Sequence, residues 1–435
     1  MYTSSLFQAL LLSSTLVPNA FAQSTDDPTK RAELALSALQ IWYNAGTGLW
    51  NTAGWWNSAN AMTVVSNLAK ADSSKQVQDL ATRIFTNTIM QAPAKNPQPG
   101  VESQSVKRDG SSNDNTTADN TSGLESGYRK TIGKDGETIT SFPTGWSAGN
   151  SEYVDIKTLP IYNAKQAAVS STPNPNDWLD GFYDDDLWWA LGWIGAYDIT
   201  KDTKYLDLAS GIFKAVTKAW PTNCGGGIWW SWEKDYANAI ANELFLSTAA
   251  HLANRVNGDE KGFYVDWAQK EINWFLSTGM INERGTINDG LDSNCKNNNM
   301  TTWSYNQGVI LSGLVELNRA APNATYLPLA TKIAKAAITE LSDSSGILHD
   351  KCGPFCGGDA SQFKGIFSRG LQMLQAVAPD DAFKKSIQVN ANSVWNNNRD
   401  EGNMLSINWA GPFLAPANAT THSSAMDALV AAITV

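Results

Sequence analysis

Apolar positions in this chain recur mostly at every third or fourth residue, the spacing of a helix with one buried face. The pattern predicts twelve helices, at about 29–45, 56–72, 76–92, 185–200, 202–219, 235–255, 260–277, 304–319, 326–342, 360–377, 380–396 and 422–433. Almost nowhere do apolar and polar residues alternate in the two-residue rhythm of a half-buried strand. Asp202 and Asp259 stand where N-caps are expected, since a short acceptor side chain can bond the free N–H groups of a first turn.

The predicted helices differ in kind. The fifth carries Lys204, Asp207, Lys214 and Lys218 around an apolar stripe, and the seventh carries Asp259, Glu260, Lys261, Asp266, Lys270 and Glu271. Such helices bury one face and wet the other. The fourth has no charge from Leu187 to Tyr197, the sixth only Glu243 between Ala237 and Leu252, and the eighth only Glu316 between Gln307 and Leu317. A helix apolar all round is covered on all sides. Charged and apolar helices in alternation predict an all-α (α/α)6 barrel, six inner helices inside six outer ones. Residues 93–177 break the pattern, being polar and rich in Pro, Gly, Ser and Asn. This segment is expected to be a loop and hairpin insertion within one catalytic domain, 23–435. Tyr128–Thr140 reads as a hairpin turning at Asp135-Gly136. Lying just before the main acidic motif, the insertion could wall one side of a cleft.

Composition narrows the setting. Residues 1–22 read as a secretory signal peptide, with an apolar run from Leu6 to Val17 before Ala20-Phe21-Ala22. No later stretch approaches the ~20 uninterrupted apolar residues of a membrane span, and Ala425–Val435 reads as a final amphipathic helix rather than a lipid-anchor signal. A secreted, extracellular or cell-wall location and a monomer are expected. The net charge of −10 disfavours nucleic acid as a partner. After a secretory leader, the four cysteines read as two disulfides. Cys352 and Cys356 are near enough to close a tight loop, which leaves Cys224 with Cys295. Asn115, Asn120, Asn299, Asn323 and Asn418 head glycosylation sequons. The three histidines are scattered and the Asp289–Asn294 loop lacks a full calcium spacing, so neither metal nor cofactor is expected.

The chain holds 18 Trp, many in Gly- and Asn-rich segments, where flat rings can stack on sugars. Candidate chemistry centres on Tyr183-Asp184-Asp185-Asp186-Leu187-Trp188-Trp189 at the start of an uncharged helix. Acids favour a first turn, but three in succession repel one another. Adjacent carboxylates at a helix start can stand roughly 5–6 Å apart, near the separation of retaining glycosidases, and their mutual repulsion splits their pKa values into nucleophile and acid roles. Further polar-aromatic clusters open other helices or the loops before them. They hold Trp55, Trp56 and Asn60; Trp229 and Trp230 after a glycine run; Tyr305 and Gln307; and Lys364. Asp289 lies in a loop directed to the same end. In a barrel of this kind these starts converge on one cleft, which makes all of these residues candidates for substrate binding. Asn242 and Glu243 read equally well as satisfied polar groups within their helix.

The segments GLWNTAGWWNSAN, FYDDDLWWALGWIGAYDIT, CGGGIWW, NAIANELFL, WSYNQGVILSGLVEL and QFKGIF together resemble glycoside hydrolase family 76, the endo-α-1,6-mannanases and their fungal-type relatives. The resemblance covers most of the mature chain outside 93–177. It implies an (α/α)6 barrel that hydrolyses α-1,6-mannan or mannooligosaccharides with retention, Asp184 being the nucleophile and Asp185 the general acid/base. Asp186 leaves a second register, Asp185 with Asp186, which Tyr183 before and Trp188-Trp189 after disfavour. A cell-wall transglycosylase would use the same acids. A sugar-binding protein without catalysis would keep the tryptophans, and an inverting enzyme would pair Asp185 with a more distant acid such as Asp289.

Overall fold

The computed structural model describes residues 25–101, 127–133, 136–146, 154–156 and 172–435. The predicted signal peptide and the sequons at Asn115 and Asn120 lie outside them. Twelve α-helices are present among the described residues: α1 (Pro28–Leu39), α2 (Trp55–Ala71), α3 (Lys75–Gln91), α4 (Tyr183–Thr200), α5 (Thr203–Val216), α6 (Ala239–Ala253), α7 (Gly258–Ser277), α8 (Ser304–Ala320), α9 (Tyr326–Leu341), α10 (Phe363–Val377), α11 (Asp381–Asn397) and α12 (Ala419–Ala431). The even-numbered helices are buried along most of their length, whereas the odd-numbered ones bury a stripe. Each even helix packs on the next, and α12 packs back on α2, closing an inner ring. Alternation makes the inner helices parallel, so their N-termini open at one end.

Local chemistry explains the boundaries. Asp27 accepts from Thr29 N at 2.9 Å and starts α1, with Pro28 at its first position. That helix ends six residues earlier than its apolar spacing predicts. Strands β1 (Tyr43–Asn44) and β2 (Leu49–Trp50) pair antiparallel across a turn that needs Gly48 at φ +69°. Asp202 caps α5 as expected, its side chain accepting from Lys204 N at 3.2 Å. Asp259 does not cap α7; that helix begins one residue before it, at Gly258 after Asn257. The sixth predicted helix, by contrast, starts late, because Asn238 caps α6 through Ala241 N.

The ring closes tightly at one seam. An added Cβ on Gly370 would lie 2.1 Å from Gly308 O, and one on Gly308 would lie 2.5 Å from Phe367 Cα. The backbones of α8 and α10 touch there, and only glycine allows it. Between α2 and α4, Trp55, Trp178, Trp189, Trp193 and Tyr205 form a buried aromatic stack with centroids 4.7–6.1 Å apart, each pair contributing about 0.5–1.5 kcal/mol beyond area burial. Both predicted disulfides are present, Cys224–Cys295 and Cys352–Cys356. Asn299 and Asn323 are exposed, and Asn418 is the half-buried N-cap of α12. Within the insertion, β3 (Arg129–Ile132) pairs antiparallel with β4 (Thr138–Ser141), the hairpin expected there. No described helix is long and apolar enough to cross a membrane.

Candidate active site

Backbone bridges bring three segments together at the N-terminal end of the ring. Tyr183 N donates to Trp230 O at 2.9 Å and Trp232 N to Gly181 O at 2.9 Å, locking the start of α4 to the loop before α6. Ala239 N donates to Asp289 O at 2.7 Å and Leu291 N to Ala237 O at 3.0 Å, locking the start of α6 to the Asp289 loop. The glycine run of the first loop lets it lie flat on Trp274, since a Cβ on Gly227 would fall 2.2 Å from that ring. Asp184, Trp230 and Asp289 thus hang from one continuous backbone frame.

Within this frame Asp184 and Asp185 are nearly inaccessible, 6% and 0% exposed. Lys130, from β3, reaches both of them. Its ammonium lies 3.5 Å from Asp184 Oδ2 and contacts Asp185 Oδ1 directly. Tyr128 donates its hydroxyl to Asp185 Oδ2 at 2.7 Å. Asp186 faces elsewhere, its Oδ1 accepting from Asp180 N at 3.0 Å. Burial pushes Asp185 well above the usual carboxylate range; Lys130 opposes this, while Asp180 and Asp184 add to it. Burial likewise raises Asp180 to about 7 against the pull of Lys130. Packed acids of like charge cannot all ionise, so the cluster holds protons that isolated aspartates would lose. Burial works against the charge of Lys130, but Asp184 and Asp185, with Asp359 and Asp180, outweigh it and strengthen its protonation.

Aromatic faces complete the surroundings. Phe182, Trp230 and Trp56 lie 5.2, 5.9 and 6.0 Å from the Lys130 nitrogen, within cation–π range. Trp56 stacks on Trp188 and donates Nε1 to Asp359 at 2.7 Å. Tyr305 stacks on Phe363 at 3.8 Å and lies in the field of Asp289 and Asp184. Asp289 accepts from the Tyr236 hydroxyl, and burial raises it to about 7. Trp229 is half-buried beside Trp230.

Other candidates from the sequence are engaged elsewhere. Trp55 belongs to the buried stack between α2 and α4. Asn60 binds Trp56 O and accepts from Arg369 at 3.1 Å. Gln307 commits both amide atoms to the backbone of Ile287, at 2.9 Å each way. Lys364 donates to Ile407 O at 2.6 Å above the Trp409 ring, and burial lowers it to about 8. Asn242 is satisfied by Ile228 and Asn238. Glu243 is not: both its oxygens are buried without a hydrogen-bond partner among the described residues, and burial, then Asp289 and Glu271, raise it well above the usual range. Lys130, Tyr128, Asp180 and Asp359 escaped the sequence reading. Asp180-Gly181 just before the acidic run was a usable signal, whereas Lys130 is one lysine in a polar stretch.

The profile of glycosyl hydrolase family 76 matches residues 134–434. The chain belongs to this family. It is 30% identical over 217 residues to the mannan endo-1,6-α-mannosidase DCW1 of Candida albicans, a match covering 45% of this chain and 47% of that protein. It is 28% identical over 279 residues to the mannan endo-1,6-α-mannosidase DFG5 of Saccharomyces cerevisiae, covering 57% and 59%. The matches span about half the length of these curated relatives. Among solved structures, an inactive α-1,6-mannanase variant of Salegentibacter sp. HEL1_6 in complex with α-1,6-mannotetraose superposes with a TM-score of 0.66 at 17% identity, covering 94% of this chain and 99% of that one. Dfg5 from Chaetomium thermophilum, in complex with glucosamine, gives 0.65 at 14% identity, covering 95% and 92%. These likenesses establish the (α/α)6 barrel. Lys130 and Tyr128 precede the matched family segment.

Proposed function

We propose that this chain is a secreted retaining endo-α-1,6-mannanase in which Asp184 is the nucleophile and Asp185 the general acid/base. The observation that carries the mechanism is the shared Lys130. Two oxygens contacting one nitrogen lie no further apart than both contacts end to end, about 6 Å, short of the roughly 6.5–9.5 Å of inverting pairs. Burial raises Asp185, which favours the protonated form that a general acid needs to protonate the glycosidic oxygen. Asp184 would attack the anomeric carbon while Asp185 protonates the departing oxygen; Asp185 then takes a proton from the water that opens the glycosyl ester. Trp56, Trp230, Tyr305 and Asp289 would line the sugar sites. Mannan as substrate draws on the fungal relatives named as mannan endo-1,6-α-mannosidases. The adjacent-acid assignment draws on the Salegentibacter mannanase, whose inactive variant has two consecutive aspartates replaced. Two disulfides fit passage through an oxidising compartment, and 23–435 is best treated as one barrel domain bearing the 93–177 insertion.

Linear α-1,6-mannan incubated with the purified protein should yield short mannooligosaccharides whose first-formed anomer, followed by proton NMR, is α. Asp184→Asn should release none. An inverted first product would remove Asp184 as nucleophile and point to a more distant acid pair such as Asp185 with Asp289.

A further inference from the structure

The hairpin carrying Lys130 crosses the mouth of the ring and is held at three places. Tyr128 packs its ring on Phe182 at 5.6 Å and bonds Asp185, at the start of α4. Thr140 donates to Asp359, which also accepts from Trp56 of α2. The turn residue Gly136 accepts through its carbonyl from Trp303 Nε1 at 3.0 Å, at the start of α8. Between these anchors Lys130 points inward with its side chain 1% exposed. Its cation lies against both candidate catalytic carboxylates and beneath three aromatic faces.

Positive charge develops at that place when a glycosidic bond breaks, because the reacting sugar passes through an oxocarbenium-like state between the same two acids. A sugar ring and this ammonium cannot both be there. We propose that the β3–β4 hairpin is an autoinhibitory plug, with Lys130 standing in for the reacting sugar, and that it must lift before a glycan enters. The inference rests on the glycosidase reading of Asp184 and Asp185. Two paired strands of four residues have little stability of their own. The plug is held chiefly by polar contacts and by aromatic faces that a sugar would cover equally well. Displacement by a bound glycan therefore exchanges one set of contacts for another. Lys130 precedes the matched family segment, which begins within the hairpin at residue 134.

The test is a reversible lock. A Cβ on Gly136 would lie 3.3 Å from the Cβ of Met300, close to the spacing of a disulfide, so Gly136→Cys with Met300→Cys ties the tip down. Cysteine is strained at the Gly136 φ of +81°, and each protein is therefore compared with itself after mild reduction, with the unsubstituted chain as control for the native disulfides. Two readouts are taken: carbodiimide labelling of Asp184, read by peptide mass spectrometry, and cleavage of α-1,6-mannotetraose. Locked protein should show background labelling and no cleavage, and reduction should restore both. Lys130→Ala, which removes the cation and leaves the strand pairing, should raise kcat/KM several-fold. The plug is overturned if locked protein labels or cleaves as the reduced protein does, or if Asp184 labels in neither state. It is equally overturned if Lys130→Ala lowers kcat/KM about tenfold or more, since Lys130 would then belong to the reacting constellation. If Asp184 labels only after reduction while no form cleaves mannotetraose, the plug stands and the mannanase reading falls.

Discussion

Most buried polar atoms find a partner, and this tendency separates three neighbouring aspartates. Asp184 and Asp185 meet a cation, whereas Asp186 accepts the backbone N–H of Asp180. Asp180 in turn accepts from Phe182 N at 2.9 Å, so Asp186 shapes the turn that aims the other two. Asp186→Ala leaves a buried N–H unmet and should cost about 1–3 kcal/mol in urea unfolding while residual mannan cleavage stays well above that of Asp184→Asn. Loss of activity equal to Asp184→Asn, with an unchanged urea midpoint, would move the reacting pair to Asp185 and Asp186. The acidic run was legible because repulsion among adjacent acids has no structural benefit. Gln307 misled because a polar residue near a helix start reads alike whether it faces a ligand or the backbone of Ile287. Lys130 was illegible because its role depends on a strand from a distant insertion, and no local spacing records that pairing.

Helices were the legible elements, since their periodicity reports the buried face directly. Helix ends were less so: the apolar spacing runs past Leu39, but the β1–β2 turn captures the chain first. The inward order of the ring was also readable, because an inner helix has no face left for charge. Inter-helix distance was not, although glycine carries it. At the α8–α10 seam, Gly370→Ala forces a methyl group onto the Gly308 carbonyl. Backbone cannot yield as a side-chain tip can, so the cost should reach or exceed the ~1–3 kcal/mol of core overpacking. Calorimetry should show a clear fall in Tm for Gly370→Ala and little change for Gly262→Ala, since a Cβ on Gly262 meets nothing within 4 Å. Equal effects at both positions would mean that the seam does not set the ring.

At the scale of the whole molecule, the barrel buries many acids without enough cations, and this ties stability to pH. Burial raises Asp180 and Asp289 to about 7 and Asp427 to about 6, whereas an unfolded aspartate titrates near 3.9. Between these limits the folded chain binds more protons than the unfolded one. The stabilisation from each group is therefore complete below about pH 4 and is lost as pH rises through about 6 to 7. Asp185, Glu243 and Glu271, also raised by burial, act in the same direction. His422 opposes it: burial lowers its pKa to about 4, so that group gains stability as pH rises from about 4 to about 6.5. His251, also lowered by burial, acts in the same direction, and two histidines against several acids leave a net decline. The Tm should fall steadily from about pH 5 to about pH 8, and Asp289→Asn, which cannot titrate, should flatten that slope. A Tm that rises across this interval would mean that the buried acids are ionised in the folded barrel, and would remove the proton reserve from which Asp185 serves as general acid.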